Sequence, residues 1–425
     1  MNALAAPVAV SRWSVRSARP LVALCGPGVV VAVAYVDPGN FATNTQAGAS
    51  LGTRLVWVVV AASVSAMLVQ YLAAKLGTAT GRSLPEHCRE RYRRPVRLAL
   101  WAQAEVVTMA TDVAEVLGGA LALYLLLGVP LPLGGAVVAT AGVGLLALRP
   151  ERRGRFDVAI ALLLVAVVGC FLAQTTLVGG VAAVGAGALP GLVPSLAGPD
   201  ALLLATGIVG ATVMPHAVYL HSSLTRRDGE ATDRRPAALA ARLRRHRRDI
   251  AVTLGVAGLV NLAILLVAAR VLFPGLLPEG VDPIVGVHAA LGAVAPAAAA
   301  AFAVALLASG LAASGVGTLA GDVVMQGFWR RRIPLTLRRL LTLGPALAVL
   351  ALSVDPTHAL VLSQVVLSCG VPFALVPLVR MTADRRVMGA AVNRRRTTVL
   401  AVLVTVVVSA LDVVLVAQGV LALVS

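Results

Sequence analysis

The sequence predicts an all-α polytopic membrane protein. Of its 425 residues, 59% are hydrophobic and only 13% are charged, whereas soluble domains carry about one quarter charged residues. Apolar stretches recur that can cross a hydrocarbon core, which takes roughly 20 helical residues. Backbone facing lipid must form its hydrogen bonds within a helix or a closed barrel, and these stretches are too long and too uniformly apolar for barrel strands. Helices are therefore expected throughout.

Eleven spans are expected, joined by short loops. They cover residues 21–50, 55–77, 98–126, 130–148, 156–180, 200–225, 249–273, 292–327, 335–354, 358–379 and 397–424. Four segments make up one membrane domain, namely a tail (1–20), spans one to five (21–180), spans six to ten (181–382) and a loop with span eleven (383–425). The longest polar stretch, 226–249, is expected to be a basic loop with one helical stretch at most.

The formal net charge of +17 would by itself suit a nucleic-acid binder. The basic residues, however, are concentrated in alternate loops. They lie at 12–19, 82–97, 149–155, 226–248, 330–339 and 380–396. By the positive-inside rule these loops face the cytoplasm, which places the N-terminus inside and the C-terminus outside. We therefore expect a multi-pass protein of the cell membrane that contacts the lipid bilayer and binds no nucleic acid.

Two spans are interrupted near their middle. The first contains Asp37-Pro38-Gly39-Asn40 and the sixth contains Met214-Pro215-His216. Proline removes a backbone donor and glycine lowers the cost of unwound backbone, so both helices are expected to break. Interruptions at corresponding positions five spans apart indicate an inverted-repeat transporter, in which spans one to five are repeated upside down as six to ten. Span eleven is then an addition.

The two breaks carry ligands for a cation. Asp37 supplies a carboxylate, Asn40 an amide oxygen and Met214 a thioether, while Pro215 deprives the Ala211 carbonyl of its helical partner. Thioether sulfur favours softer transition ions over magnesium or calcium, so the set predicts a divalent transition-metal site. Simpler interpretations stay open: a plain proline kink, an Asp37 paired with an arginine, and a methionine that only fills the core.

Titratable groups suggest a route for protons. Asp112 and Glu115 are three residues apart and share one face of span three, and a buried carboxylate is readily protonated. Arg338 and Arg339, at the start of span nine, are candidate partners of this pair. His216 is a further candidate, because histidine in general changes charge near neutral pH. The open alternatives are a static salt-bridge network between spans three and nine and a hydrogen-bonded core histidine.

The segments AYVDPGNFATNTQAGA (34–49) and GATVMPHAVYLHSSL (210–224) resemble the two signature helices of the Nramp family of proton-coupled divalent metal transporters. The combination of DPGN with MPH is specific. The likeness also covers residues 68–86, 109–123, 307–328 and 361–378, so it extends over nearly the whole chain.

The resemblance implies a LeuT-like fold and inward transport of manganese or ferrous iron with protons, with tolerance of cobalt, cadmium or zinc. It implies no enzyme activity, no cofactor and no obligate protein partner. It assigns the metal to Asp37, Asn40 and Met214 side chains and the Ala211 carbonyl, with Gln364 or the Ala34 carbonyl in some states. It also implies a proton pathway from Asp37 past His216 to Asp112 and Glu115 and on to Arg338 and Arg339, with Glu105 as a further acidic member.

Rival functions are weighed on the same residues. A carrier of the same fold could take magnesium, or an amino acid with sodium, but Met214 argues against the first and the Asp37 carboxylate against the second. An intramembrane metalloprotease is disfavoured because the sequence has no HExxH motif. A channel that conducts the ion passively is a further alternative that the sequence does not exclude.

Overall fold

The structure is a computed structural model that describes residues 26–147, 153–196, 198–226, 235–275, 280–329, 344–350 and 355–424, with the single positions 337 and 352. Within these ranges every regular element is a helix, which confirms the predicted all-α class. The expected tail 1–20, much of the predicted span nine, and both Arg338 and Arg339 lie outside the described residues.

The first half of the chain begins with two short helices in place of one span. Its elements are α1 (Pro27–Ala34), α2 (Pro38–Leu51), α3 (Val56–Thr80), α4 (Leu84–Arg91), α5 (Arg94–Leu127), α6 (Leu131–Ala147), α7 (Arg153–Leu177), α8 (Gly180–Ala186) and a 3-10 turn (Leu189–Leu192).

The second half repeats this start with another divided span. Its elements are α9 (Pro199–Thr212), α10 (Pro215–Leu224), α11 (Pro236–Leu272), α12 (Pro283–Val294), α13 (Pro296–Trp329), the helical stretch 344–350, α14 (Pro356–Ala383), α15 (Arg385–Met388), a 3-10 turn (Gly389–Ala391) and α16 (Arg395–Val424).

Among the described residues, eight helices are long and apolar enough to cross a bilayer when α9 and α10 count as one. They correspond to predicted spans two, three, five to eight, ten and eleven. The remaining predicted spans contain α1 with α2, α6 and the stretch 344–350. The helices therefore follow the predicted order.

Two predicted boundaries need correction. Span eight was expected to begin at 292, but Ala295 is extended, with φ −161° and ψ 129°, and α13 begins only at Pro296. Proline denies the preceding turn a backbone donor and so separates α12 from α13. Span seven was expected to begin at 249, but α11 already begins at Pro236, because proline suits the first helical turn and the following alanines and arginines favour helix.

The four half-helices pair across the centre of the molecule. Helix α1 contacts α10, and α2 contacts α9, so the two divided spans run antiparallel to each other. Long helices surround them: α5 packs on α13, α11 packs on α2 and α3, and α14 packs on both α2 and α9. This arrangement places the two breaks side by side.

Candidate metal centre

The first break covers residues 35–37, between α1 and α2. Asp37 is the N-cap of α2, and its Oδ1 accepts hydrogen bonds from the Asn40 backbone N at 3.0 Å and from Asn40 Nδ2 at 2.7 Å. A carboxylate is favoured there because a helix N-terminus presents free amides and positive potential. Its second oxygen, Oδ2, is buried and has no hydrogen-bond partner among the described residues. Capping therefore fixes the carboxylate and leaves one oxygen for a ligand.

The second break lies between α9, which ends at Thr212, and α10, which begins at Pro215. Because Pro215 has no backbone N–H, the Ala211 carbonyl lacks the donor that would continue the helix. That carbonyl accepts instead from Asn40 Nδ2 at 2.8 Å, and Thr212 Oγ1 donates to Asn40 Oδ1 at 3.3 Å. The two breaks are thus in direct contact through a single asparagine.

The Asn40 amino group occupies the point where the two breaks meet. It donates both to Asp37 Oδ1 and to the Ala211 carbonyl, and both Asp37 (1% exposed) and Asn40 (0%) are buried. A carboxylate and a carbonyl without a helical partner converge on one donor here, and together they create a negative potential away from water. The position suits a cation.

Gln364 lies against the first break, and Met214 belongs to the second. The Gln364 side chain covers Gly39, where an added Cβ would lie 2.0 Å from Gln364 Nε2. Its Nε2 donates to Ser363 Oγ at 2.9 Å, and its Oε1 is buried with no partner among the described residues. Met214 is the N-cap of α10 and is fully buried within the second break. The contacts therefore bring one carboxylate and neutral oxygen donors together, and the second break adds the buried thioether of Met214.

Two carbonyls freed by the first break are already bonded to other helices. The Tyr35 carbonyl accepts from Asn261 Nδ2 of α11 at 2.9 Å, and the Val36 carbonyl accepts from Ser309 Oγ of α13. Neither donor was predicted from the sequence, although each is a polar residue in an apolar span, which is a signal of function or of a buried hydrogen bond. These bonds stabilise the unwound backbone and remove these two carbonyls from the set of free ligands.

His216 lies beside the helix that carries Asp112 and Glu115. His216 Nδ1 lies 3.3 Å from Thr111 Oγ1 of α5, and Thr111 directly precedes Asp112. Asp112 (2% exposed) and Glu115 (0%) are buried, and an added Cβ on Gly317 of α13 would lie 2.4 Å from Glu115 Oε1. The histidine is thus adjacent to the acidic helix.

Glu105 lies earlier on α5. It is half-buried and accepts a hydrogen bond from Trp101 Nε1 at 3.1 Å. Among the described residues, no group of three or more His, Cys, Asp and Glu side chains is placed to hold a metal. The breaks offer a different donor set, one carboxylate with several neutral donors.

Helix α4, which was not predicted, follows α3 in the chain and packs against the C-terminal end of α10. Glu86 Oε2 accepts from Ser83 N at 2.7 Å, Arg226 pairs with Glu86 Oε1 at 2.9 Å, and Leu84 N donates to Ser222 Oγ at 2.9 Å. Burial acts to raise the pKa of Glu86, but the hydrogen bonds from Ser83 and the charge of Arg226 outweigh it and leave the pKa below its usual value. These contacts hold α10 at its C-terminal end.

The sequence matches one family and many relatives. The family model described as natural resistance-associated macrophage protein-like (Nramp) matches residues 28–418. The divalent metal cation transporter MntH of Mycobacterium tuberculosis strain H37Rv is 50% identical over 398 residues, which cover 92% of this chain and 91% of that protein. The protein of the same name from Bacillus subtilis is 44% identical, with coverage of 95% and 93%.

Solved structures show the same architecture. The Eremococcus coleocola manganese transporter, in complex with an aromatic bis-isothiourea substituted compound, superimposes with a TM-score of 0.81 at 31% identity, and the match covers 93% of this chain and 86% of that one. MHP1, a nucleobase-cation-symport-1 family transporter, gives a TM-score of 0.55 at 15% identity, with coverage of 85% and 79%. The second likeness is one of fold alone.

Proposed function

The chain belongs to the Nramp family, and on that premise we propose that it imports a divalent transition-metal ion, manganese or ferrous iron, together with protons. Family membership and the relatives make it a divalent metal cation transporter with multiple membrane spans. The choice of ion, the coupling to protons and the orientation with the N-terminus in the cytoplasm are our proposals. Cobalt, cadmium and zinc are proposed as further substrates.

The observation that supports the metal site is the contact between the two breaks. Asn40 Nδ2 now joins Asp37 Oδ1 and the Ala211 carbonyl at 2.7 and 2.8 Å. A divalent ion binds oxygen at about 2.0–2.6 Å, so an ion that replaced the amino group would draw the two breaks closer together. Rotation of the Asn40 amide would then present its oxygen. Binding and closure of the site are in this way one event.

Selectivity follows from the remaining donors. Gln364 Oε1 adds a neutral oxygen, and the Met214 sulfur binds transition ions far better than the strongly hydrated magnesium ion. A single carboxylate leaves a bound divalent ion with excess positive charge. The inward-negative membrane potential acts on that charge with about 2.3 kcal/mol per elementary charge per 100 mV. Import is thus favoured over export.

Protons are proposed to leave by a separate route. A metal ion at Asp37 favours the loss of any proton that the carboxylate holds. His216 lies next to α5 through Thr111, and Asp112 and Glu115 continue along that helix. Glu105, Arg338 and Arg339 are the proposed later members of this path. Because the route diverges from the metal ligands, the two ions need not repel each other on the way in.

Uptake of Mn²⁺ into proteoliposomes tests the proposal. An inwardly directed proton gradient should drive concentrative Mn²⁺ uptake. The lumen should become more acidic in step with that uptake. Uptake that merely equilibrates Mn²⁺, without proton flux, would indicate a channel or an uncoupled carrier. Uptake of Mg²⁺, or of amino acids with Na⁺, at a rate matching Mn²⁺ would favour the rival substrates.

Two substitutions locate the site. Asp37→Asn keeps the shape of the side chain but removes its charge, and we expect it to abolish uptake. Met214→Ala should retain uptake but allow Ca²⁺ to compete, because only oxygen ligands remain. Competition by Ca²⁺ equal to that in the wild type would show that the thioether does not select the ion.

A further inference from the structure

Asp412 is a buried acid outside the two repeats. It lies in α16, is 7% exposed, and its Oδ1 accepts a hydrogen bond from Ser368 Oγ of α14 at 2.6 Å. Its Oδ2 is buried without a hydrogen-bond partner among the described residues. An acid within a membrane helix is costly and therefore uncommon without a function. The contact with Ser368 is the place to look for that function.

Ser368 belongs to a weakened turn of α14. Pro372 lies four residues later in the same helix, so the Ser368 carbonyl has no backbone donor in the helix. A helix with one bond missing bends more easily, and its direction there depends on what its side chains contact. The hydrogen bond to Asp412 supplies such a contact from α16.

The preceding turn, 364–368, packs against both broken spans. An added Cβ on Gly210 of α9 would lie 2.1 Å from the Gln364 carbonyl and 2.8 Å from Ser368 N. On α2, an added Cβ on Gly39 would lie 2.0 Å from Gln364 Nε2. The turn 364–368 is therefore packed against a glycine of each broken span, and its position fixes that of Gln364.

We propose that Asp412 is a positioning residue for metal binding, which acts through Ser368 to hold the turn 364–368 against Gly210 and so sets the place of Gln364 at the ion. The inference rests on the proposed metal site. It gives span eleven a part in that site although the span lies outside the two repeats. A simple attachment of α16 to α14 would leave the metal affinity unchanged.

The test measures Mn²⁺ binding to the full-length protein in detergent by titration calorimetry, beside Mn²⁺ uptake in proteoliposomes. Ser368→Ala and Asp412→Leu remove the hydrogen bond, whereas Asp412→Asn retains an acceptor. Ser409→Ala is the matched control, since the Ser409 hydroxyl donates to the Thr405 carbonyl of its own helix at 2.8 Å. We expect Ser368→Ala and Asp412→Leu to weaken binding by about fivefold to tenfold, the effect of one net hydrogen bond. Asp412→Asn and Ser409→Ala should stay within about twofold of the wild type.

A second comparison separates positioning from simple packing. If Asp412 acts through Gln364, then Asp412→Leu should weaken binding no further in a Gln364→Ala background, because coupled residues are not additive. The proposal would be overturned if the effects of Asp412→Leu and Gln364→Ala on Mn²⁺ affinity were fully additive. It would also be overturned if Ser368→Ala bound Mn²⁺ with wild-type affinity, or if Asp412→Asn bound it as weakly as Asp412→Leu. Should Asp412→Leu fail to fold, Ser368→Ala, which lacks only one oxygen, decides by the same criteria.

The outcomes also separate this inference from the proposed function. A wild type that binds Mn²⁺ without transporting it would refute import, and the calorimetric comparison would still decide the role of Asp412. A wild type that transports Mn²⁺ while all four variants bind it equally would refute only the role of Asp412.

Discussion

Substitution of Gly210 by alanine tests whether the close contact between α9 and α14 shapes the metal site. An added Cβ there would lie 2.1 Å from the Gln364 carbonyl, while ordinary contact begins at 3.4 Å. The obstacle is backbone, which cannot rotate away as a side chain can. Either α9 or α14 must move by about 1 Å, a displacement that typically reduces the rate of a well-positioned site by about 100-fold.

Gly207, on the same helix, offers a matched control. Its added Cβ would meet Thr43 Cγ2 at 3.1 Å and Val361 Cγ1 at 3.9 Å, both of them side-chain atoms. Alanine in a helix is favoured over glycine by about 1 kcal/mol, so Gly207→Ala should be neutral or slightly stabilising. Gly210→Ala has the same intrinsic gain but adds an overpacking cost of about 1–3 kcal/mol or more. Gly210→Ala should therefore have a lower free energy of unfolding than Gly207→Ala.

The assay combines thermal unfolding in detergent with Mn²⁺ uptake. We expect Gly210→Ala to lower the melting temperature by a few degrees relative to Gly207→Ala and to reduce uptake strongly, since the next residue, Ala211, presents the proposed ligand carbonyl. Gly207→Ala should transport at nearly the wild-type rate. Equal melting temperatures and equal uptake in the two variants would refute the claim that the contact with α14 positions this break.

Two further predictions concern contacts around the centre. Ser309→Ala leaves the buried Val36 carbonyl without its donor and should cost about 1–3 kcal/mol, seen as a lower melting temperature; an unchanged one would mean that another donor serves this carbonyl. Glu86→Gln weakens the pair with Arg226, whose side chains are 22% and 39% exposed, so the cost should stay below about 1 kcal/mol. Because the pKa of Glu86 is lowered, this stabilisation is full above the usual value of 4.5 and is lost as the pH falls through the lowered pKa. Melting temperatures of wild type and variant should therefore converge in acid, and a difference that grew there would contradict the assignment.

The divided spans were predictable because their chemistry is local. Pro38 and Pro215 each remove a specific backbone donor, and the donor they remove can be named from the sequence alone. The structure places the two breaks at these prolines, with Asp37 and Met214 as the N-caps that follow the unwound residues. The helix boundaries beside Pro236 and Pro296 were missed for a related reason, since hydropathy was given more weight than these prolines.

The partners of the breaks were less predictable because they depend on packing between distant segments. Nothing local in the sequence connects Asn261 with Tyr35 or Gly39 with Gln364, and the pairs are formed only when α11 and α14 close around the centre. Polar residues in apolar spans could have been marked as donors for freed backbone. Their assignment to a particular carbonyl required the structure.

The donors that bond the carbonyls of the two breaks explain how unwound backbone can persist at membrane depth. Of the carbonyls near the two breaks, those of Tyr35 and Val36 are bonded to side chains of α11 and α13. That of Ala211 accepts from Asn40, itself a proposed metal ligand. The first two bonds can remain when an ion arrives, because neither donor is needed for coordination. The third must be exchanged. In the proposed mechanism a divalent ion would replace the Asn40 amide and leave the structural donors in place, so the scaffold helices would meet the energetic cost of unwinding before any ion binds.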